Sequence, residues 1–243
     1  MAKISVFRNE AGKRVPSVTA IAGQLDKPGI VHWAHKLGLE GIENLYGHRD
    51  SLKQAGNLMH EIIEMCLSGP DSKAKPVHFS KIDIDEIYRR VNKLAYTEEE
   101  IALSRPIFER ACNLLASISP MATMMMEHSL VSERHQFGGR LDWYGVTSAP
   151  EDSLITLLDI KTGKDVYAET IIQLAAYRGL LLERGFALDK VIVARIGPTP
   201  GEGEEIRTLT DKELSAAWDT FLHLRAVYDL QKIIKPDTRK KAA

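Results

Sequence analysis

Cysteine is scarce in this chain, and long apolar runs are absent from it. Cys66 and Cys112 are the only cysteines in 243 residues, too few for a disulfide framework or for a four-thiolate iron–sulfur cluster. No stretch approaches the ~20 apolar residues of a membrane-spanning helix, and the N-terminus lacks the apolar core of a signal peptide. We therefore expect an intracellular, cytoplasmic protein with two buried free thiols and no membrane contact.

An excess of charge of one sign is also lacking. Lysine and arginine number 32 against 33 aspartates and glutamates, which gives a net charge of -1. No global basic field attracts a polyanion, so any contact with nucleic acid must come from local patches. The basic cluster from Lys232-Ile233-Ile234-Lys235 through Arg239-Lys240-Lys241 is interpreted as a solvated tail. The length of 243 residues allows one large domain with a substantial core, and the apolar content of 44% is that of an ordinary globular protein.

A charged pair lies at the end of one apolar run. Residues 154–164 read LITLLDIKTGK, which predicts a buried strand that ends in a Thr-Gly turn. Asp159 and Lys161 are two residues apart, so their side chains share a face of this strand. Taken alone, the pattern is typical of a salt bridge at a strand end, because burying either charge without a partner costs roughly several kcal/mol.

A second carboxylate precedes this strand at a spacing typical of a hairpin. Asp142 follows Gly138-Gly139-Arg140-Leu141 and lies 17 residues before Asp159. Two antiparallel strands joined by the polar loop at 148–152 would bring both carboxylates together beside Lys161. Neighbouring carboxylates repel unless a cation lies between them. Oxygen ligands at this density suit Mg²⁺ or Mn²⁺, which retain waters for a phosphate substrate.

Four short elements follow one another along the chain: the G-x-x-x-H of residues 56–60, the G-G-R-L-D of 138–142, the L-L-D-I-K-T-G-K of 157–164 and the Q-x-x-x-Y of 173–177. Taken in this order, they resemble the signature of the PD-(D/E)XK nuclease superfamily and its RecB-like exonuclease branch. Near the N-terminus, Pro16-Ser17-Val18-Thr19 and Trp33 are similar to segments of mitochondrial genome maintenance exonucleases and related phage-encoded enzymes.

The resemblance implies roles for individual residues. His60, Asp142, Asp159 and the backbone carbonyl of Ile160 would hold the metal. Lys161 would orient or activate the attacking water and offset charge on the phosphate, while Asp142 and Asp159 complete the catalytic set. Gln173, Tyr177 and Arg140 would support the site or contact the nucleic acid. A divalent ion lowers the pKa of bound water and polarises a phosphoryl oxygen, which agrees with these roles.

Four further residues are weighed beside this set. The family's first motif often includes a glutamate, and Glu127 and Glu133 both precede Asp142; we favour Glu127, in an outer shell. Glu64 lies four residues after His60, so it shares the helical face of His60, and no role is assigned to it. Trp33 is interpreted as a packing residue, with a stacking platform for an unpaired base as the alternative.

The predicted fold is an α/β PD-(D/E)XK restriction-endonuclease-like core, with a central mixed β-sheet flanked by helices. A helical N-terminal region, residues 1–120, carries the G-x-x-x-H helix and packs on the core, residues 121–243, in one compact unit. Apolar periodicity and capping residues such as Ser51, Asp83 and Thr97 define the helices. Helices are predicted over 27–46, 51–67, 84–95, 98–118, 168–183 and 211–234, and strands over 122–131 and 190–196 beside the hairpin.

The function expected from the resemblance is that of a metal-dependent DNA exonuclease in recombination, repair or replication-end processing. Its cofactor would be Mg²⁺ or Mn²⁺, its partner DNA, including single-stranded ends, and its location a bacterial host if the protein is phage-encoded. Two cysteines cannot form the four-cysteine iron–sulfur cluster of several RecB-like relatives. The alternatives are a structure-specific or flap endonuclease on the same fold and a non-catalytic nucleic-acid-binding protein. The last is less favoured because Asp142, Asp159 and Lys161 are all present.

Overall fold

The computed structural model describes residues 6–25, 28–41, 44–67, 78–91, 96–148 and 153–234. Residues 68–77 and the tail beyond residue 234 are among those that lie outside these ranges. A five-stranded sheet forms the centre. Its strands, in their order across the sheet, are β3 (Pro120–Ser132), β4 (Phe137–Ser148), β5 (Ser153–Thr162), β6 (Lys190–Ile196) and β7 (Glu204–Thr208). Strand β5 pairs antiparallel with β4 and parallel with β6, so the sheet is mixed.

Seven α-helices accompany the sheet within the described ranges. They are α1 (Val18–Ala22), α2 (Pro28–Leu39), α3 (Leu45–Leu67), α4 (Ile84–Val91), α5 (Glu98–Ile118), α6 (Ala168–Glu183) and α7 (Asp211–Ile234). A two-stranded hairpin, β1 (Phe7–Arg8) and β2 (Arg14–Val15), precedes them. The predicted α/β class, with helices flanking a central mixed sheet, is confirmed. In the described part of the chain, no helix is both long and apolar enough to cross a bilayer.

Both faces of the sheet are covered by helices. Successive residues of the central strands point to opposite sides, so each strand contributes apolar side chains to both faces. Tyr144 and Leu157 belong to an apolar cluster with residues of α1, α6 and α7. Their neighbours Trp143 and Leu158 belong to a second cluster with residues of α3 and α5. The N-terminal helices therefore cover both faces, with α1 on one side and α3 and α5 on the other.

Several helices begin and end where their sequence signals place them. Thr97 caps α5 in a full capping box with Glu100, and Asp83 accepts a hydrogen bond from the backbone N–H of Glu86 at the start of α4. Helices α5, α6 and α7 and strand β6 have the predicted bounds. Helix α4 is described to Val91, and the remainder of its predicted span lies outside the described residues.

Three local predictions differ from the structure. The span predicted as one helix over 27–46 is α2 followed by the start of α3. Helix α2 ends at Leu39, and Gly41 follows in a left-handed conformation with φ of 79°, which terminates helices. Helix α3 begins at Leu45, so Ser51 lies inside it and is not its cap. Strand β7 and the hairpin β1–β2 were not predicted.

The two cysteines are free thiols, as expected. Cys112 is buried on α5, whereas Cys66 on α3 is only partly buried. Burial raises the pKa of the Cys66 thiol to about 11 and that of the Cys112 thiol to about 12. Both side chains are therefore protonated, weakly reactive packing groups at neutral pH.

Candidate active site

Two aspartates face each other where the pairing of strands β4 and β5 ends. The backbone pairing runs from Ser148 and Ser153 to Trp143 and Leu158, and the place just beyond its end is called the fork. The next residues in the same register are Asp142 and Asp159, so the predicted antiparallel pair of strands and the adjacency of its aspartates are confirmed. Beyond the ladder, the Asp142 Oδ2 atom accepts a hydrogen bond from the Ile160 N–H at 2.9 Å. The carboxylate thus replaces a backbone acceptor and fixes the width of the fork.

Asp159 and Lys161 form a tight ion pair on β5. The Lys161 Nζ atom donates to Asp159 Oδ1 at 2.9 Å and lies 2.8 Å from Oδ2. The contact to Oδ2 is an ion pair without hydrogen-bond geometry, so this buried oxygen has no hydrogen-bond partner. Burial raises the pKa of Asp159 above its ordinary value, although the ammonium of Lys161 opposes the shift, and the negative charge of Asp142 adds to it. The salt bridge expected from the sequence is present, and one oxygen of it keeps lone pairs available.

The charge of Lys161 is maintained by its surroundings. Burial lowers the pKa of the ammonium, but the carboxylates of Asp159 and Asp142 outweigh that effect, and the pKa lies above its ordinary value. Lys161 is therefore a cation at neutral pH. A lysine in this state neutralises negative charge and does not accept a proton.

Helix α3 brings His60 to the fork through an unusually close contact. A Cβ atom on Gly56 would lie 2.6 Å from Thr162 Oγ1, so glycine lets α3 approach the end of β5. His60 is about one helical turn further along, and its Nδ1 atom lies 3.7 Å from Asp142 Oδ2. That distance is too long for a hydrogen bond. The first position of the G-x-x-x-H element is therefore a glycine because any larger side chain would collide with Thr162.

His60 is held in its neutral form. Burial lowers its pKa, and this effect exceeds the opposing attraction of Asp142. A hydrogen bond with the backbone of Ile160 also raises the pKa of His60. Only an acceptor stabilises the protonated imidazole in this way, so the partner is the Ile160 carbonyl oxygen. A neutral imidazole beside a carboxylate and a backbone carbonyl has the protonation state that metal ligation requires.

Glu127 enters the fork from the neighbouring strand β3. The pairs Met126–Trp143 and His128–Leu141 enclose it, so Glu127 lies across from Asp142. Its backbone is left-handed, with φ of 47°, a conformation that costs a non-glycine residue roughly 1–2 kcal/mol. The pKa of Glu127 is raised to about 7, mainly by burial and also by the negative charge of Asp142, while Arg140 opposes the shift. Backbone strain and a partly buried carboxylate of raised pKa are together typical of functional sites.

Three side chains could together hold a metal ion. His60, Glu127 and Asp142 each offer one ligand atom, and these atoms lie within 4.8 Å of one another. Among the described residues, this is the group of histidine and carboxylate side chains whose ligand atoms are close enough to share one ion. Glu127, expected in an outer shell, is a member, whereas Asp159 lies next to the group and is bound to Lys161. The Oδ2 atom of Asp159 has no hydrogen-bond partner, and the pKa values of Glu127 and Asp159 are both raised. A divalent cation would satisfy this oxygen and stabilise both carboxylates in their charged form.

Helix α6 closes the other side of the fork. Gln173 and Tyr177, one turn apart, are both buried. Gly139 permits the close approach of Tyr177, because a Cβ atom there would lie 2.6 Å from Tyr177 Cε1. The pKa of the Tyr177 phenol is raised, mainly by burial, and the charges of Lys161 and Asp159 also act on it. The tyrosine predicted to support the site therefore lies beside the Asp159–Lys161 pair.

Of the other residues considered from the sequence, some lie near the site and some do not. Arg140 lies at the rim, 40% exposed, with its Nε atom 2.8 Å from Glu127 Oε2. Glu64 is close enough to raise the pKa of Glu127. Glu133 accepts a hydrogen bond from the Glu10 N–H and belongs to the contact with the β1–β2 hairpin. Trp33 lies in α2, and its side chain is outside the described residues.

Sequence reasoning missed one buried arginine that supports the site. Arg195 on β6 pairs in register with Lys161, and its guanidinium donates to the carbonyl oxygens of Gly163, Glu202 and Gly203. These bonds hold the turn that follows Lys161. An arginine inside the apolar run VIVARI was the available signal, because a buried charge requires several partners.

No family model matches this chain, and no curated protein matches it. Among solved structures, the chain is similar to a protein from Eubacterium rectale that is provisionally named an exonuclease, at 13% identity with a TM-score of 0.44. The match covers 73% of this chain and 66% of that protein. A second similar structure is SSO0001, at 14% identity with a TM-score of 0.29, over 74% of this chain and 94% of the other. The functional argument therefore rests on the geometry of the site and on the sequence motifs, and not on these matches.

Proposed function

We propose that this protein is a divalent-metal-dependent deoxyribonuclease of the RecB-like PD-(D/E)XK type, and specifically an exonuclease. The observation that carries the proposal is the convergence of two sets of groups at the fork of β4 and β5. One set, His60, Glu127 and Asp142, has metal-ligating geometry. The other, the Asp159–Lys161 pair, supplies a fixed positive charge next to it. A cation site beside an ammonium suits the hydrolysis of a phosphodiester.

The ion would be held by His60, Glu127 and Asp142, with the Oδ2 atom of Asp159 and the carbonyl of Ile160 adjacent. Oxygen donors dominate this set, which suits Mg²⁺ or Mn²⁺. The imidazole nitrogen adds a ligand of the kind that transition ions accept. When bound, such an ion supplies Lewis-acid polarisation of a phosphoryl oxygen.

Side chains around the ion would perform the other tasks, which are to neutralise charge, orient the water and hold the site in place. Lys161, held by both oxygens of Asp159, would oppose the negative charge that grows on the phosphate and orient the attacking water. Tyr177 and Gln173 would keep this pair in place from α6. Asp142, by accepting from the Ile160 N–H, would keep the two strand ends at a constant separation.

The exonuclease mode and the role in recombination, repair or end processing follow from the sequence resemblance. Purified protein with Mg²⁺ or Mn²⁺ should release nucleotides from end-labelled DNA oligonucleotides, and Asp159→Ala and Lys161→Ala should each abolish this. Arg105→Gln is the matched control, because Arg105 forms surface ion pairs with Asp85 and Glu109. Activity that persists in both site variants would refute the proposed site.

A covalently closed circular DNA separates the exonuclease from the endonuclease alternative. A strict exonuclease leaves the circle intact until a nick provides an end. Cleavage of the intact circle would instead identify a structure-specific or other endonuclease on the same fold.

A further inference from the structure

Arg140 has a contact that is unusual for an exposed arginine next to a candidate metal site. Its Nε atom lies 2.8 Å from Glu127 Oε2, and its side chain is 40% exposed, against 13% for Glu127. Arg140 therefore reaches from solvent to the edge of the metal-ligating group and pairs with one of its three members.

The carboxylate of Glu127 thus faces two positive partners. It pairs with the Arg140 guanidinium, and it is one of the three groups whose ligand atoms lie within 4.8 Å of one another. Two positive charges that share a partly buried carboxylate repel each other strongly, because the surrounding protein screens them less than water does. Binding of a divalent ion at this group therefore weakens the Glu127–Arg140 pair.

Arg140 also lies where a displaced guanidinium would meet a substrate. It is two residues before Asp142 on β4, and its exposed fraction leaves it free to turn toward solvent. A guanidinium binds a phosphate through two parallel hydrogen bonds, and arginine is favoured over lysine for such contacts. A nucleic-acid strand whose phosphate enters the fork passes this rim.

We propose that Arg140 and a divalent ion compete for Glu127, and that the displaced Arg140 binds a backbone phosphate of the nucleic acid. This inference rests on the proposed nuclease function. The exchange couples the two ligands: binding of the ion makes Arg140 available to the strand, and binding of the strand removes the competitor of the ion. Because such coupling is reciprocal, each ligand strengthens the other by the same factor.

The first test measures ion affinity directly. Mn²⁺ is titrated calorimetrically into wild type, Arg140→Gln, Arg140→Lys and the control Arg105→Gln, whose arginine is similarly exposed at 43%. Arg140→Gln should bind Mn²⁺ roughly three- to tenfold more tightly, as loss of one neighbouring positive charge implies. Arg140→Lys should stay near wild type because the charge remains, and Arg105→Gln should be unchanged. Equal or weaker binding by Arg140→Gln would show that Arg140 positions Glu127, and would overturn the proposal.

A double-mutant cycle separates competition from simple repulsion. In a Glu127→Gln background the shared carboxylate is absent, so Arg140→Gln should change Mn²⁺ affinity much less than it does in wild type. An undiminished effect would mean that Arg140 acts on the ion through space and not through Glu127, and it would refute the exchange.

The second test measures the strand. In the non-cleaving Lys161→Ala background, fluorescence anisotropy of a labelled single-stranded oligonucleotide is recorded with and without Mn²⁺ at several salt concentrations. Adding Arg140→Gln should reduce the enhancement by Mn²⁺ and lower the slope of log affinity against log salt by about one, as loss of one phosphate contact implies. An unchanged slope would exclude the phosphate contact.

Failure of this inference and failure of the proposed function give different results. If wild type neither binds Mn²⁺ nor cleaves DNA, the nuclease proposal itself is wrong. If wild type does both and Arg140→Gln does not tighten Mn²⁺ binding, only the exchange is wrong. Thermal melts of each variant confirm folding, and Arg140→Ala, which also removes the charge, replaces Arg140→Gln in both tests should Arg140→Gln unfold.

Discussion

The contact between Gly56 and Thr162 offers a sharp test of how the candidate site is assembled. In Gly56→Ala the new methyl group would lie 2.6 Å from Thr162 Oγ1, where ordinary contact begins at 3.4 Å. Helix α3 would have to move by roughly 0.8 Å, or Thr162 would have to leave its rotamer, which a β-branched side chain resists. His60 lies about one turn further along this helix and would move with it.

The magnitude can be worked from two opposing effects. Overpacking of this kind costs about 1–3 kcal/mol, whereas alanine improves helix propensity over glycine by about 1 kcal/mol. The free energy of unfolding should therefore fall by only about 0–2 kcal/mol. Hydrolysis should fall much further, since a displacement of about 1 Å in an active site can cost about 100-fold. Circular-dichroism melts and Mn²⁺-dependent DNA cleavage measure the two quantities.

A second substitution and a control make the test specific. Thr162→Ala removes the clashing oxygen and leaves Thr162 Cβ 3.6 Å from the new methyl group, so it should restore activity to Gly56→Ala. Gly38→Ala on α2 is the matched control, because nothing lies within 4 Å of its added Cβ. Wild-type activity in Gly56→Ala, or failure of Thr162→Ala to restore it, would refute the steric account of how His60 is placed.

Two further predictions concern groups outside the metal-ligating set. Arg195→Met should lower the free energy of unfolding by about 2 kcal/mol or more, because the Gly163 carbonyl and two others lose their donor; a melting temperature equal to that of wild type would contradict this. Glu183 accepts hydrogen bonds from the Ser132 hydroxyl and from two backbone N–H groups. Burial raises its pKa, but these bonds outweigh burial and lower it. The stabilisation by Glu183 is therefore present above its ordinary pKa and is lost as pH falls through the lowered value. Glu183→Gln should cost about 1 kcal/mol at pH 7, after allowance for solvent screening, and its difference from wild type in melting temperature should shrink toward pH 3; a constant difference would contradict the linkage.

Local signals predicted much of the fold. Helices α5, α6 and α7 have the expected bounds because their caps and apolar stripes are encoded within each segment. The facing positions of Asp142 and Asp159 followed from alternation and spacing, since an antiparallel register depends on few variables. Strand β7, with its short sequence EEIRT, carries no comparable signal, because it is an edge strand that buries little.

The residue types that converge on the fork are a property of the sequence: an imidazole on one helix, aspartates on two paired strands and a lysine two residues from one of them. Tertiary structure decided which residues belong to the candidate metal-ligating group. Glu127 joins it through a left-handed backbone on β3 and a pairing across β4, and His60 through the approach of α3 to Thr162. Both depend on contacts between segments far apart in the chain, which local periodicity does not encode.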